Sequence, residues 1–187
     1  SLNLKYAEEF SVDKYVDYSL ITIDGGNKFL IVPENCDTPS NVPSDIYILK
    51  QPLDKTYIVS TSVMDLISRI GAVSDIRLSG TKEKNWYVED AVKAMENGDM
   101  LYAGKYSATD YELILNEGCN LVIENTMIYH NPEVKEKLEN LGIPVLVEKS
   151  SYEKNPLGRL EWIKLYGVLY GKETEAECYF DSQSEKI

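Results

Sequence analysis

Between residues 16 and 33 apolar and polar positions alternate on either side of Asp24-Gly25-Gly26-Asn27. A period of two is that of a strand with one buried face, and glycine permits the positive φ of a tight reversal, so the pattern predicts a β-hairpin. Residues 35–44, rich in Pro, Asn, Ser and Asp, read as a loop, and 45–49 as a short strand before Pro52. From Lys55 the pattern changes. Short apolar runs at 56–59, 76–78, 100–102, 121–123 and 145–147 alternate with stretches of helical spacing. The first helix is opened by Ser60-Thr61-Ser62 and closed by Gly71, and the second covers 88–96 before Asn97-Gly98. A third covers 107–116, with Ser107 and Asp110 spaced as a capping box. Asn131-Pro132-Glu133 opens a fourth by N-cap, proline at N1 and an acid in the first turn, and it runs to Leu141. Two more are expected at 160–170, ended by Gly171, and at 173–184, with Ala176, Tyr179 and Phe180 on its packing face.

Strands this short and apolar on both faces, each followed by a helix, indicate a parallel sheet covered by helices. The expected fold class is α/β, a Rossmann-like parallel sheet flanked by helices and preceded by a β-hairpin. Residues 1–54 are expected to form the hairpin and loop packed on the lobe, 55–171 the α/β ligand-binding lobe, and 172–187 the start of a further helix.

The chain of 187 residues is long enough to bury a full core. Its 43% apolar and 27% charged residues are ordinary for a globular domain, and no apolar run approaches the roughly 18 residues of a membrane-spanning helix. The formal net charge of −12, with scattered basic residues, repels a phosphate backbone and argues against nucleic acid as a partner. Cys36, Cys119 and Cys178 are too far apart for a CxxC motif; Cys119 and Cys178 are expected as small buried hydrophobes, and the odd count leaves at least one unpaired or paired between molecules.

In an open parallel sheet, ligands bind at the loops leaving the carboxyl ends of the strands. Here those loops are rich in aromatic residues and lysine, which offer flat contact area and positive charge. They supply Lys82, Trp86, Tyr87, Lys105, Tyr106, Asn125 and Tyr129 as candidate ligand contacts on one face of the lobe. Arg159, near the last loop, is either held by a carboxylate such as Glu153 or reserved for an anionic ligand. The single histidine, His130, reads as a surface residue. The chain contains no nucleophile elbow, P-loop or Gly-rich dinucleotide fingerprint, so a catalytic reading finds little support.

Two segments carry a family resemblance: YAGKYSATDYELILNEGCNLVI at 102–123 and PVLVEKSSYEKNPLGRLEWIKLYGVLYGKETEAECYF at 144–180. Together they resemble the N-terminal lobe of the periplasmic-type substrate-binding proteins of iron-complex, haem and cobalamin ABC importers, the helical-backbone metal receptor superfamily. The resemblance implies an extracytoplasmic, lipid-anchored receptor that captures an iron-siderophore, haem or corrinoid and delivers it to a permease, with no enzymatic activity and no cofactor. It also implies a signal peptide and lipid-attachment cysteine ahead of Leu2, and a second lobe beyond a long helix starting at 172–187. Glu112, in the pattern Tyr-x-Glu-hydrophobic-hydrophobic, matches the residue that docks onto a permease arginine. Tyr111, Ile114 and Leu115 are expected to bury the opposite side of its helix. Gly118-Cys119-Asn120 departs from the Lys-Pro-Asp of many members. One histidine is too few for the ligand sets of receptors for bare zinc or manganese, which favours a pre-formed metal complex as cargo. Two other classes remain open: a small α/β enzyme for a phosphorylated or nucleotide-like ligand, using helix N-termini such as those at Ser62 or Ser107, and a structural adhesion or scaffold module.

Overall fold

A computed structural model describes all 187 residues. The chain forms two compact units, Leu53–Glu148 and Ser1–Pro52 with Lys149–Ile187.

The Leu53–Glu148 unit is built on β5 (Thr56–Ile58), β6 (Ile76–Ser79), β7 (Leu101–Tyr102), β8 (Leu121–Glu124) and β9 (Val145–Val147). Their spatial order is β7-β6-β5-β8-β9, and every pair is parallel. The connections carry α1 (Thr61–Arg69), α2 (Glu89–Glu96), α3 (Tyr111–Asn116) and α4 (Pro132–Asn140). β5, β8 and β9 are buried along their whole lengths, which is why they read as continuous apolar runs. Tyr57, Leu78, Val122 and Val145 pack with Ile114, Ile128 and Leu138 in one core. The expected α/β sheet is therefore present.

One boundary moves. α3 begins at Tyr111, not at residue 107, and its N-cap is Asp110, whose Oδ1 accepts the Leu113 N–H at 3.1 Å. The capping-box spacing misassigned Ser107 because the backbone of 103–110 is spent on a closed loop, in which the Asp110 N–H donates to the Ala103 carbonyl at 2.8 Å.

The other unit holds β1 (Phe10–Lys14), β2 (Ser19–Ile23), β3 (Lys28–Val32) and β4 (Ile46–Lys50) in that order. β2 and β3 form the expected hairpin; β1 joins it antiparallel and β4 parallel. β1 escaped the sequence reading because its inward positions, Phe10 and Val12, are only two. Three helices follow from Lys149 onward, α5 (Pro156–Glu161), α6 (Ile163–Tyr170) and α7 (Glu173–Ser184). Residues 149–171, placed by sequence with the α/β lobe, cluster with the N-terminal strands instead. The reason lies in polar contacts that no periodicity reveals. Glu161 accepts the backbone N–H groups of Lys5, Tyr6 and Ala7, and Glu153 those of Glu8 and Glu9. The Gln51 amide donates to the Val168 and Leu169 carbonyls at 3.1 and 2.9 Å.

α7 buries Ala176 and Phe180, with Tyr179 half-buried. Cys119 is buried as expected, but Cys178 is exposed, and all three cysteines are free thiols. No helix is long and apolar enough to cross a membrane.

Candidate functional site

Because all five strands of the Leu53–Glu148 unit are parallel, the loops after them leave one edge of the sheet. The chain runs outward from β5 through β6 to β7 and returns to the other side of β5 with β8, so the order reverses at β5. Lys82, Trp86 and Tyr87 follow β6, Lys105 and Tyr106 follow β7, and Asn125 and Tyr129 follow β8. The sheet thus brings the backbone of these seven residues to the reversal edge.

Their side chains differ in what they offer. Tyr87 is fully exposed and Tyr129 is 47% exposed, so both present ring surface to solvent. Trp86 is buried, and its indole Nε1 donates to Ser79 Oγ at 3.1 Å, leaving only part of the ring at the surface. Lys82 and Lys105 are exposed, the Lys82 ammonium standing 5.6 Å from the Tyr102 ring centroid. Tyr106 is half-buried and leans on the core. Asn125 is partly committed, its Oδ1 accepting the Met127 N–H at 2.9 Å to cap the turn Thr126–His130. Thr61, Ser62, Asn85, Trp86 and Tyr87 line a cavity of about 390 Å3 at the start of α1. A larger hollow of about 560 Å3 touches Asp54, Lys55, Val73 and Arg77, before β5 and along β6, and holds none of the candidate residues.

Arg159 is exposed on α5 in the other unit. Glu153 does not hold it, because its two oxygens are taken by the Glu8 and Glu9 N–H groups and the Trp162 indole. Glu112 is exposed in the first turn of α3. The helix turns Ile114 fully inward with Tyr111 and Leu113 half-buried, whereas Leu115, expected inside, is 47% exposed.

Two acids at this edge escaped the sequence reading. Glu124 and Glu148 each follow an apolar run, LVIE and VLVE, and a charge there reads as the start of a loop. Both are buried. Glu148 Oε1 accepts the Ser60 hydroxyl at 3.0 Å, so Ser60, expected to cap α1, leaves the helix start without a side-chain cap. Glu124 receives no protein donor at either oxygen, and burial pushes its carboxyl up to about 8. Burial, and after it the Glu124 charge, raises the Tyr57 phenol. The repetition of a glutamate after each of two successive apolar strands was the available signal.

No protein-family model matches the chain. It is 26% identical over 97% of its length to the uncharacterized lipoprotein MJ0878 of Methanocaldococcus jannaschii, covering 47% of that protein. A second uncharacterized lipoprotein of that organism, MJ0872, is 28% identical over 96% of the chain and is covered to 46%. The chain spans about half the length of the curated relatives it matches. Among solved structures, a periplasmic heme binding protein from Pseudomonas aeruginosa superposes with a TM-score of 0.56 at 19% identity, over 71% of this chain and 43% of that one. An ABC-type Fe3+-hydroxamate transport protein from Saccharomonospora viridis gives 0.53 at 18% identity, over 71% and 48%. The fold is therefore that of the lobes of periplasmic solute-binding proteins.

Proposed function

We propose that this chain forms one ligand-binding lobe of an extracytoplasmic receptor, anchored by lipid like the relatives it matches, that delivers an iron-siderophore, haem or corrinoid to an ABC permease. The observation that supports this reading most is the aromatic and lysine-bearing edge where the strand order reverses, on a fold shared with periplasmic solute-binding proteins. Binding of this kind needs no catalytic group. It needs wide, rigid, partly apolar contact area and a few placed polar groups. Tyr87 and Tyr129 supply most of the first, with only the exposed edges of Trp86 and Tyr106 added; Lys82, Lys105 and Asn125 supply the second. A large ligand held at an open edge keeps much of its surface in water, whereas functional pockets bury about 70–90% of it. The remaining half of a protein of the relatives' length would close the other side. Glu112, exposed in the first turn of α3, is assigned to permease docking.

The test is quenching of tryptophan fluorescence by hemin, ferrichrome and cobalamin in a protein of the relatives' full length. Trp162 is fully buried in the other unit, so a Trp86→Phe variant separates the two signals. Saturable quenching by one of the three, lost in Trp86→Phe, supports the reading. No saturable response to any of them refutes it.

A further inference from the structure

β8 ends in a charge that the fold closes over. Glu124 is 0% exposed, and no protein group donates to either carboxyl oxygen. The residue is held in the sheet, since its carbonyl accepts the Glu148 N–H at 2.8 Å. Alternation along the strand puts its side chain on the face of Val122, toward the core of Tyr57, Val59, Ile114 and Ile128.

The titratable groups around it do not compensate a negative charge. Tyr57 of β5 and Tyr111 of α3 both feel the Glu124 carboxylate, and Tyr102 and Cys119 add to the environment of Tyr57. From α4, Glu133 acts on Tyr111, and the Lys137 ammonium is engaged 4.1 Å from the Tyr111 ring centroid. Glu148, after β9, turns its carboxylate to Ser60.

The Tyr57 end of this cluster meets the segment 103–110. The Tyr57 hydroxyl donates to the Gly104 carbonyl, with Thr109 beside it, and the Asp110 N–H closes the loop onto Ala103. The same segment carries Lys105 and Tyr106, and through Asp110 it starts α3 with Glu112. We propose that Glu124 is a proton-operated catch: the neutral carboxyl keeps the 103–110 segment closed over the Tyr57 cluster, and loss of the proton opens it.

The reason is solvation. A carboxylate at this position would have neither a donor nor a cation, which is strongly unfavourable unless water is admitted. β8 is fixed between β5 and β9, whereas the 103–110 segment belongs to no strand or helix and can yield at a smaller cost. The folded carboxyl titrates near 8 against 4.5 when solvated. The closed state is therefore fully favoured below about pH 4.5 and is lost as pH rises toward 8, opening increasing roughly ten-fold per pH unit across that window. This inference stands independently of the ligand.

The experiment is hydrogen exchange of the 103–112 backbone, corrected for intrinsic rates, from pH 5 to pH 9, with α1 as internal reference. The wild type should lose protection at 103–112 steeply with pH while α1 does not, and Glu124→Gln, which has no proton to lose, should be flat. In parallel, infrared spectra of 13C-glutamate-labelled wild type should show a protonated carboxyl band at pH 6 that is gone at pH 9. A pH-independent wild type, an equal pH dependence in Glu124→Gln, or no protonated glutamic acid band at pH 6 overturns the proposal.

Discussion

Truncating Glu161 to alanine should be the most damaging single change in the unit that contains the N-terminal strands. The carboxylate is 0% exposed and accepts four bonds, from the Lys5, Tyr6 and Ala7 N–H groups at 2.8 Å each and from Lys164 Nζ at 2.9 Å. Burial alone would raise its pKa, but Lys164 and the three N–H groups overcome that and hold it below the usual value. Removing it leaves the Lys164 ammonium, itself 5% exposed, enclosed with no counter-charge, only the Asn3 carbonyl at 3.4 Å and the Phe180 ring face at 4.4 Å. Breaking a buried pair from one side costs about 3–5 kcal/mol. The three orphaned N–H groups add little, because Lys5 and Tyr6 are exposed and the segment can turn to water by detaching. The expected loss is thus about 3–5 kcal/mol, accompanied by fast hydrogen exchange at residues 5–7. In a Trp86→Phe background the remaining tryptophan, Trp162, lies in this unit against Phe10, with ring centroids 4.7 Å apart, and reports its unfolding in urea. With a slope of about 2 kcal/mol/M the midpoint should fall by about 2 M. Because the folded pKa lies below 4.5, the stabilisation is whole above pH 4.5 and is lost as pH falls through the folded value. A loss under about 1 kcal/mol, or an acid limb unchanged in Glu161→Ala, would refute the reasoning.

Gly104 has φ +93°, and a Cβ there would come within 2.1 Å of the Ala108 carbonyl oxygen. Gly104→Ala should therefore cost upward of about 1–3 kcal/mol in chemical denaturation and disorder the loop carrying Tyr106; an unchanged midpoint would show that the loop yields freely. Tyr87→Ala removes a fully exposed ring, so thermal unfolding should stay within about 0.5 kcal/mol of wild type while ligand affinity falls; equal affinity would remove Tyr87 from the site. Glu112→Ala in the full receptor should slow uptake in a reconstituted transport assay and leave ligand affinity unchanged, as expected for a charge that guides docking. Wild-type uptake by that variant would end the docking assignment.

The amino-acid sequence determined the local elements. The run of short apolar strands alternating with capped helices specified the parallel sheet, because strands covered on both faces have no polar side to show. Asp24-Gly25-Gly26-Asn27 set the hairpin, and the parallel arrangement brings the loops of Lys82, Trp86, Tyr87, Lys105, Tyr106, Asn125 and Tyr129 to one edge. Tertiary structure decided what depends on partners distant along the chain. Residues 149–171 join the N-terminal strands through carboxylates that accept the N–H groups of residues more than 140 positions away. Trp86 turns inward because Ser79 offers its indole an acceptor. Glu124 ends β8 and Glu148 follows β9, yet Ser60 reaches only Glu148. No one-dimensional pattern distinguishes a carboxylate that finds a donor from one left to keep its proton, since that difference is made by neighbouring strands and the loop that meets them.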